Sequence, residues 1–220
     1  MRLTNNFLLA ALFALLAIPV QAAPTAGKDY AVLNPAQPTA GDGKVEVLEF
    51  FWYGCPHCFD LHPHLNAWKK QKPADVNIRY VPVVFPDRQG VLRPTWVAGA
   101  KIFYALEALG EFDRLNDAVY DAIHVDNIDL LGNEQRLFDW MAKQGIDRKK
   151  FADTYNSFAV QGKVMQSVQL TRDYQLRGVP AIVVDGRYLT SGTFTGSPQG
   201  TVAVTDLLVK KAREERVTKR

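Results

Sequence analysis

The chain has 220 residues, of which 47% are hydrophobic and 22% are charged, and its formal net charge is +3. The apolar content is too high, and the charge too low, for an intrinsically disordered protein. The small net charge, with no dense basic stripe, argues against nucleic-acid binding as the main activity. Its two cysteines are too few for a scaffold built on disulfides. The length suits one medium-sized domain, or one domain that carries an insertion.

Residues 1–22 have the pattern of a secretory signal peptide. Arg2 precedes the uncharged apolar run Phe7–Val20, whose length of about 14 residues is short of the roughly 20 needed to span a bilayer. The run is followed by a small-residue pattern that predicts cleavage after Ala22. An uncleaved anchor and a buried core helix are the alternatives. Cleavage would place the mature protein in an oxidising compartment, where cysteine pairs form disulfides.

The first part of the mature chain predicts a βαβ unit. Ala23–Gly43 is rich in Pro, Gly, Ala and Thr and predicts an extended arm with an edge strand around Tyr30–Leu33. Lys44–Tyr53 is apolar on both alternating faces apart from two glutamates, which is typical of a strand buried on both sides. A helix over Cys55–Gln71 and a strand within Val76–Phe85 then predict a parallel strand pair.

A helical block follows, from about Pro94 to Phe158. Its apolar side chains recur at helical spacing and are predicted to form a core: Phe112, Leu115, Val119, Ile123, Leu137, Trp140, Met141, Phe151, Tyr155 and Phe158. Beyond it the chain predicts a helix over Val160–Leu176, a hairpin whose turn is Asp185-Gly186, and a last helix over Thr201–Arg216.

This order of elements predicts an α/β fold that is interrupted by helices. We expect residues 23–86 and 160–220 to form one discontinuous domain around a sheet. Residues 87–159 would form an all-helical inserted domain.

One motif carries chemistry: Cys55-Pro56-His57-Cys58, which follows the buried strand and opens a helix. At the N-cap position, the Cys55 sulfur would face the free N–H groups of His57 and Cys58, and Pro56 suits the first helical position. The helix dipole, together with the His57 side chain, also favours a negative sulfur. We therefore expect a Cys55 pKa below that of a free cysteine, and a Cys55–Cys58 disulfide that is a strong oxidant because its reduced form is stabilised.

The segment FFWYGCPHC, with Gly178-Val179-Pro180 far downstream, resembles the DsbA-type thiol:disulfide oxidases. The resemblance implies a thioredoxin-like fold with an inserted all-helical domain. It also implies that Pro180 follows a cis peptide bond and presents the Val179 backbone beside Cys55, where a substrate strand can pair with it. An ordinary trans proline that starts an edge strand is the alternative.

The resemblance further assigns a role to Glu49, six residues before Cys55. The family has an acid at the matching position, under the active site, where it moves the proton of the second cysteine. In the family this acid pairs with a lysine on the next strand, whereas here the basic residue of that strand is Arg79. Glu49 could instead lie at a strand end and reach solvent. A bare buried carboxylate would be costly, so a buried Glu49 must be protonated, paired or hydrated.

The other histidines receive no catalytic role from the sequence. His62 and His64 are predicted to be surface residues of the active-site helix, and His124 has no chemical partner nearby in sequence. A zinc module built on the two cysteines and His62 is a remote alternative, since a second cysteine pair is absent. No metal or organic cofactor is implied.

Other functions remain open within and beyond redox chemistry. A disulfide isomerase or a reductase would use the same motif, although the family's isomerases carry an N-terminal dimerisation domain and Ala23–Gly43 is too short for one. A scaffold without catalysis has no use for two reactive thiols. The resemblance favours a periplasmic oxidase, and a monomer is expected although one sequence does not determine the oligomeric state. The oxidase would act on unfolded or partly folded secreted proteins and be reoxidised by a quinone-linked membrane protein of the DsbB kind.

Overall fold

A computed structural model describes residues 23–218, so the predicted signal peptide lies outside the described residues. The strands are β1 (Ala31–Val32), β2 (Val45–Phe51), β3 (Val76–Pro82), β4 (Ala181–Val184) and β5 (Tyr188–Ser191). The helices are α1 (Pro56–Gln71), α2 (Pro94–Leu109), α3 (Phe112–His124), α4 (Glu134–Lys143), α5 (Arg148–Tyr155), α6 (Phe158–Asp173), α7 (Gly192–Thr195) and α8 (Pro198–Thr218). Within residues 23–218, none of the helices has the length and apolar content needed to cross a membrane.

The five strands form one mixed sheet in the order β1-β5-β4-β2-β3. β2 runs parallel to β3, and the other neighbouring strands are antiparallel. All residues of β2 are buried, because it lies inside the sheet with both faces covered. The predicted βαβ unit is therefore confirmed as β2–α1–β3.

Helices cover both faces of the sheet. On one face, Val45 and Val47 of β2 pack with Leu61 and Leu65 of α1 and with Leu208 of α8. On the other face, the intervening residues of β2, Leu48 and Phe50, pack with Tyr174 just beyond α6. The alternation along β2 thus sends successive side chains into two separate cores.

Helices α2 to α6 lie between β3 and β4 in the chain, which confirms an α/β fold with an inserted helical region. Their core does not stop at the boundary of the sheet. Phe51 and Tyr53, at the end of β2, belong to the same buried cluster as Phe103 of α2, Tyr120 of α3 and Cys58 of α1. The active-site end of the sheet is thus continuous with the helical core. The domain limits at residues 87 and 159 stay a prediction.

The predicted core of the helical block is correct except at Phe158, which is 89% exposed. The other nine residues of the stripe are buried or packed against the buried cluster. Phe158 differs because α6 begins there, two residues earlier than predicted, with Ser157 as its N-cap. Its side chain therefore precedes the first complete turn and extends into solvent.

The predicted hairpin between β4 and β5 is confirmed. Asp185 and Gly186 both have positive φ, 55° and 64°, as a two-residue turn of type I′ requires. The turn is closed by the Arg187 N–H, which donates to the Val184 carbonyl at 3.0 Å.

Candidate active site

The two cysteines lie where β2 gives way to α1. Cys55 is the N-cap of α1, with extended backbone angles (φ −92°, ψ 115°), and Pro56 is the first helical residue, as predicted. The turn is fixed by the Cys55 N–H, which donates to the Trp52 carbonyl, and by the Cys58 N–H, which donates to the Cys55 carbonyl, both at 3.0 Å. Both thiols are free in this structure. Cys55 is 8% exposed and Cys58 is completely buried, so Cys55 is the sulfur that a substrate can reach.

The surroundings of Cys55 stabilise its thiolate. The largest influence on the Cys55 pKa is a hydrogen bond from the Cys58 side chain, which lowers it. Partial burial acts in the opposite direction, and the resulting Cys55 pKa is about 6. The backbone N–H groups of Cys58 and His57 lower the pKa further, although the sulfur forms no regular helix-capping hydrogen bond. The predicted direction of the shift is therefore confirmed.

Cys58 titrates in the opposite direction. Burial raises its pKa well above the usual value, and the hydrogen bond to Cys55 and the nearby Cys55 charge raise it further. The pair thus divides into an accessible thiolate and a buried thiol that donates a hydrogen bond to it. This asymmetry defines the roles of the two sulfurs in exchange.

The His57 side chain acts on Cys55 in the predicted direction but only weakly. Its ring is 84% exposed, and its Nδ1 lies 3.9 Å from the Asp60 carboxylate. Among the causes that lower the Cys55 pKa, the charge of this ring ranks last, after the backbone N–H of the same residue. Position at the helix start matters more here than the identity of the side chain.

The loop before β4 lies against Cys55. The Val179–Pro180 peptide bond is cis, as the resemblance implies. The Cys55 sulfur lies 3.5 Å from the Val179 carbonyl oxygen, to which it can donate only while it is protonated. Residues that are 124 positions apart in the chain thus meet at the reactive sulfur.

Glu49 is buried on the face of β2 that is covered by α1. It is 1% exposed, and among the described residues neither carboxylate oxygen has a hydrogen-bond partner. Burial raises its pKa to about 8, and the charge of Lys69 on α1 offsets part of this shift. The alternative of a solvent-exposed Glu49 is therefore wrong, and the carboxyl is protonated at neutral pH.

Arg79 does not pair with Glu49. Its guanidinium lies 3.4 Å from the carboxylate of Glu46, which is three residues earlier on β2 and therefore on the opposite face. The cation that acts on Glu49 is Lys69, which comes from the active-site helix and not from the neighbouring strand. Lys69 acts on Glu49 through its charge alone, since its Nζ pairs with the Asp113 carboxylate at 3.4 Å.

A groove of about 940 Å³ opens beside the motif. Its apolar lining comes from the arm, α1, the loop before β4 and α7, and includes Leu33, Leu61, Leu176, Val179, Pro180 and Phe194. The ionisable side chains in the lining are His57, Asp60, Tyr174 and Arg177. Such a groove accommodates an extended apolar segment next to the reactive sulfur.

Comparison with known proteins decides the family. A family profile described as a DSBA-like thioredoxin domain matches residues 46–199. The chain belongs to the DsbA family. It is a protein disulfide oxidoreductase, as its relatives are named thiol:disulfide interchange proteins.

The similarity covers most of the chain. It is 44% identical over 197 residues to DsbA of Burkholderia cepacia, covering 89% of each chain. It is 36% identical over 213 residues to DsbA of Pseudomonas aeruginosa, covering 95% of this chain and 97% of that one. The crystal structure of Pseudomonas aeruginosa DsbA matches with a TM-score of 0.78 and 36% identity, over 90% and 97% of the two chains. That of the oxidoreductase DsbA from Xylella fastidiosa gives 0.79 at 29% identity, over 88% and 100%.

Two histidines have partners that the sequence did not indicate. His62 is 6% exposed, so its prediction as a surface residue is wrong, and its Nε2 lies 2.7 Å from the Asp117 carboxylate of α3. His124, the last residue of α3, has its Nε2 2.7 Å from the Tyr53 carbonyl oxygen. The partners are 55 and 71 positions away in the chain. No local pattern could have identified them.

Within residues 23–218, no three His, Cys, Asp or Glu side chains are grouped in a way that would hold a metal ion. The zinc alternative required His62 to lie near the two cysteines as a ligand, but its ring nitrogen binds Asp117.

Proposed function

We propose that this oxidoreductase is a disulfide donor that transfers its Cys55–Cys58 disulfide to newly exported, unfolded proteins. The observation that carries the proposal is the Cys55 pKa of about 6 next to a Cys58 pKa that is raised. A stabilised Cys55 thiolate stabilises the reduced protein, so the disulfide is readily given up, a behaviour for which enzymes of this family are the known example.

The exchange proceeds in two balanced steps. A substrate thiolate attacks the Cys55 sulfur, the Cys55–Cys58 bond breaks, and Cys58 leaves and takes up a proton. A second substrate thiolate then attacks the substrate sulfur of the mixed disulfide and releases Cys55 as a thiolate. Two electrons pass from the substrate thiols to this protein, which ends reduced, and the substrate gains one disulfide.

Glu49 is the group that we propose supplies the proton to Cys58. Its carboxyl is buried on the face of β2 under α1 and holds its proton at neutral pH, because its pKa is about 8. The charge of Glu49 also acts on Cys58, where it raises the pKa. A protonated Glu49 favours departure of the Cys58 thiolate, and an ionised one would oppose it.

The groove beside the motif is the proposed site for the substrate. Its apolar lining suits segments that folded proteins bury and unfolded ones expose. The Val179 backbone, 3.5 Å from the Cys55 sulfur, is available for pairing with an extended segment. Recognition of this kind depends on backbone and apolar contacts, so it is compatible with many substrate sequences.

The proposal extends to location and partners. The signal-peptide pattern of residues 1–22 supports a periplasmic, mature protein that lacks this segment. Catalysis then requires reoxidation, which we assign to a quinone-linked membrane protein of the DsbB kind. The mature protein is expected to be a monomer.

The equilibrium of Cys55–Cys58 with glutathione buffers tests the proposal. Protein consisting of residues 23–220 is incubated at fixed ratios of reduced to oxidised glutathione, trapped by acid, and scored for free thiols. A potential at the oxidising end, well above that of thioredoxin, is expected. A potential near that of thioredoxin would contradict disulfide donation and favour a reductase.

A second assay separates an oxidase from an isomerase. Oxidised protein is mixed with a reduced peptide that carries two cysteines. Separately, reduced protein, whose Cys55 thiolate can attack a disulfide, is mixed with a scrambled substrate whose disulfides need only rearrangement. We expect stoichiometric oxidation of the peptide and slow rearrangement of the scrambled substrate. The reverse order of rates would favour the isomerase. The Cys55→Ser variant, which keeps Cys58, serves as the control without an attacked sulfur.

A further inference from the structure

The imidazole of His124 connects the inserted helices to the active-site turn. Its Nε2 lies 2.7 Å from the carbonyl oxygen of Tyr53, two residues before Cys55. A carbonyl oxygen accepts hydrogen bonds only, so Nε2 carries the hydrogen and donates it. Within residues 23–218, this N–H is the hydrogen-bond donor to the Tyr53 carbonyl.

The same ring also contacts the residue after the motif. It stacks on Phe59 with ring centroids 4.8 Å apart and an interplanar angle of 17°. Phe59 directly follows Cys58. His124 therefore contacts the chain on both sides of Cys55–Cys58, through a hydrogen bond before it and a ring contact after it.

Helix α3 holds Tyr53 at a second point. The Tyr53 hydroxyl donates to the Asn116 side chain at 2.8 Å, and both residues are buried. Asn116 and His124 both belong to α3, so the side chain and the carbonyl of Tyr53 are fixed by one helix. The segment Tyr53-Gly54-Cys55 thus begins from a residue that cannot rotate freely.

We infer that His124 is a positioning residue for the redox pair, an inference that rests on the proposed function. The Cys55 thiolate depends on the direction of its sulfur, which must lie close to the Cys58 side chain and to the first N–H groups of α1. The Tyr53 carbonyl sets the start of the turn that aims this sulfur. Loss of its donor frees the peptide unit to rotate and moves Cys55 relative to the N–H groups and to the Val179 carbonyl.

The variant His124→Phe isolates the hydrogen bond, because a phenyl ring keeps the stack on Phe59 and removes the donor. We expect the Cys55 pKa, read from thiolate absorbance, to rise and oxidation of a dithiol peptide to slow about tenfold. His124→Gln restores an N–H of similar reach and should recover part of both. The matched control is His64→Phe. His64 lies on α1, and within residues 23–218 the hydrogen-bond partner of its ring is Gln199.

Two outcomes would overturn the inference, and a third would overturn the proposed function. Equal pKa and equal rate in His124→Phe and His64→Phe overturn it. If His124→Phe does not fold, as judged by circular dichroism, the comparison passes to His124→Gln and His124→Met, which match in length and differ in the donor; equal pKa values in these two overturn it as well. Failure of the wild-type protein to oxidise the peptide would overturn the proposed function instead, while the pKa comparison would still decide the role of His124.

Discussion

Glu49 is a buried carboxyl group, and burial disfavours its charged form so that its pKa rises from 4.5 to about 8. Between pH 4.5 and about 8, Glu49 keeps its proton in the folded protein and loses it in the unfolded chain. Ionisation of Glu49 therefore favours the unfolded chain, and the stability of the wild-type protein falls as pH rises across this window. Glu49→Gln cannot ionise. Its free energy of unfolding relative to wild type should therefore rise across this window, by an amount on the order of a few kcal/mol.

Urea unfolding of the oxidised proteins at a series of pH values measures this difference. The buried amide of the variant adds a constant offset, so only the pH dependence is diagnostic. The exposed Glu214→Gln variant provides the control. Parallel curves for wild type and Glu49→Gln would show that Glu49 does not carry the shift.

His57 provides the second prediction for a single residue. His57→Ser removes the ring and keeps the backbone N–H, so the Cys55 pKa should rise only part of the way from about 6 toward 9. The couple should become correspondingly less oxidising. Titration of thiolate absorbance checks the rise in the Cys55 pKa, and the equilibrium with glutathione buffers checks the loss of oxidising power. His64→Ser is the control for both measurements. A return to the pKa of a free cysteine would mean that the ring dominates, and an unchanged titration that it contributes nothing.

At this scale the sequence indicated the reactive atoms but not their partners. Cys55, Pro56 and Cys58 act through local helix geometry, which the order of residues determines. His124 donates a hydrogen bond to Tyr53, and the charge of Lys69 acts on Glu49; both interactions arise only once helices have packed. Spacing along the chain carries no information about such pairs.

At the scale of elements, the β4–β5 turn is the position most sensitive to one added methyl group. Gly186 has φ of 64°, and a Cβ there would lie 2.1 Å from the Gln37 carbonyl oxygen of the arm. Gly110, at the end of α2, has φ of 72° and open space where an added methyl group would lie. Gly186→Ala should therefore destabilise the protein by about 1–3 kcal/mol more than Gly110→Ala, which carries the backbone strain alone.

Denaturant midpoints of the two variants measure this difference. The Gln37 N–H also donates to the Gly186 carbonyl at 2.8 Å, so displacement of the turn would release the arm. Limited proteolysis of residues 23–43 should accelerate in Gly186→Ala and not in Gly110→Ala. Equal midpoints would mean that the arm around Gln37 moves to make room for the added methyl group without loss of stability.

Elements with a strong local pattern were predicted well, and so was the short edge strand β1, but one short helix was not. β2, α1 and the hairpin follow from alternation, from Pro56 and from Asp185-Gly186. The helix α7, only four residues long, was not predicted, because it has no periodicity to detect. The start of α6 was placed two residues late, since the Ser157 cap is a weaker signal than the apolar stripe.

At the scale of the whole molecule, the redox state should change stability in a pH-dependent way. The Cys55 pKa falls from 9.0 to about 6 on folding of the reduced protein. The thiolate therefore stabilises the folded reduced protein fully at pH values above 9.0, the Cys55 pKa of the unfolded chain, and this stabilisation is lost as pH falls through about 6. The oxidised protein has no thiolate, whereas Glu49 is common to both forms.

Melting temperatures of the oxidised and reduced proteins test this expectation. The advantage of the reduced form should grow as pH rises from 6 toward 8.5. Near pH 9 the raised pKa of Cys58 begins to oppose it, because the unfolded chain ionises there and the folded one does not. A difference that stays constant from pH 5 to 8.5 would contradict a depressed Cys55 pKa.

The order of elements predicted the fold class but not how the parts join. The active-site end of β2 and helices α2 and α3 share one buried cluster. That continuity depends on contacts between segments dozens of residues apart. It makes the insertion a structural support of the cysteine turn.

The outer edge of the sheet at β1 has a further consequence. A long, open strand edge is a template on which other extended chains can add, and it promotes aggregation. Here the edge strand is only two residues long, Ala31–Val32, and it pairs with part of β5. A protein that meets unfolded chains continually, as we propose, thereby offers them little backbone for sheet extension at this edge. At this end of the sheet, encounters with substrate chains therefore favour exchange at Cys55 over growth of a mixed sheet.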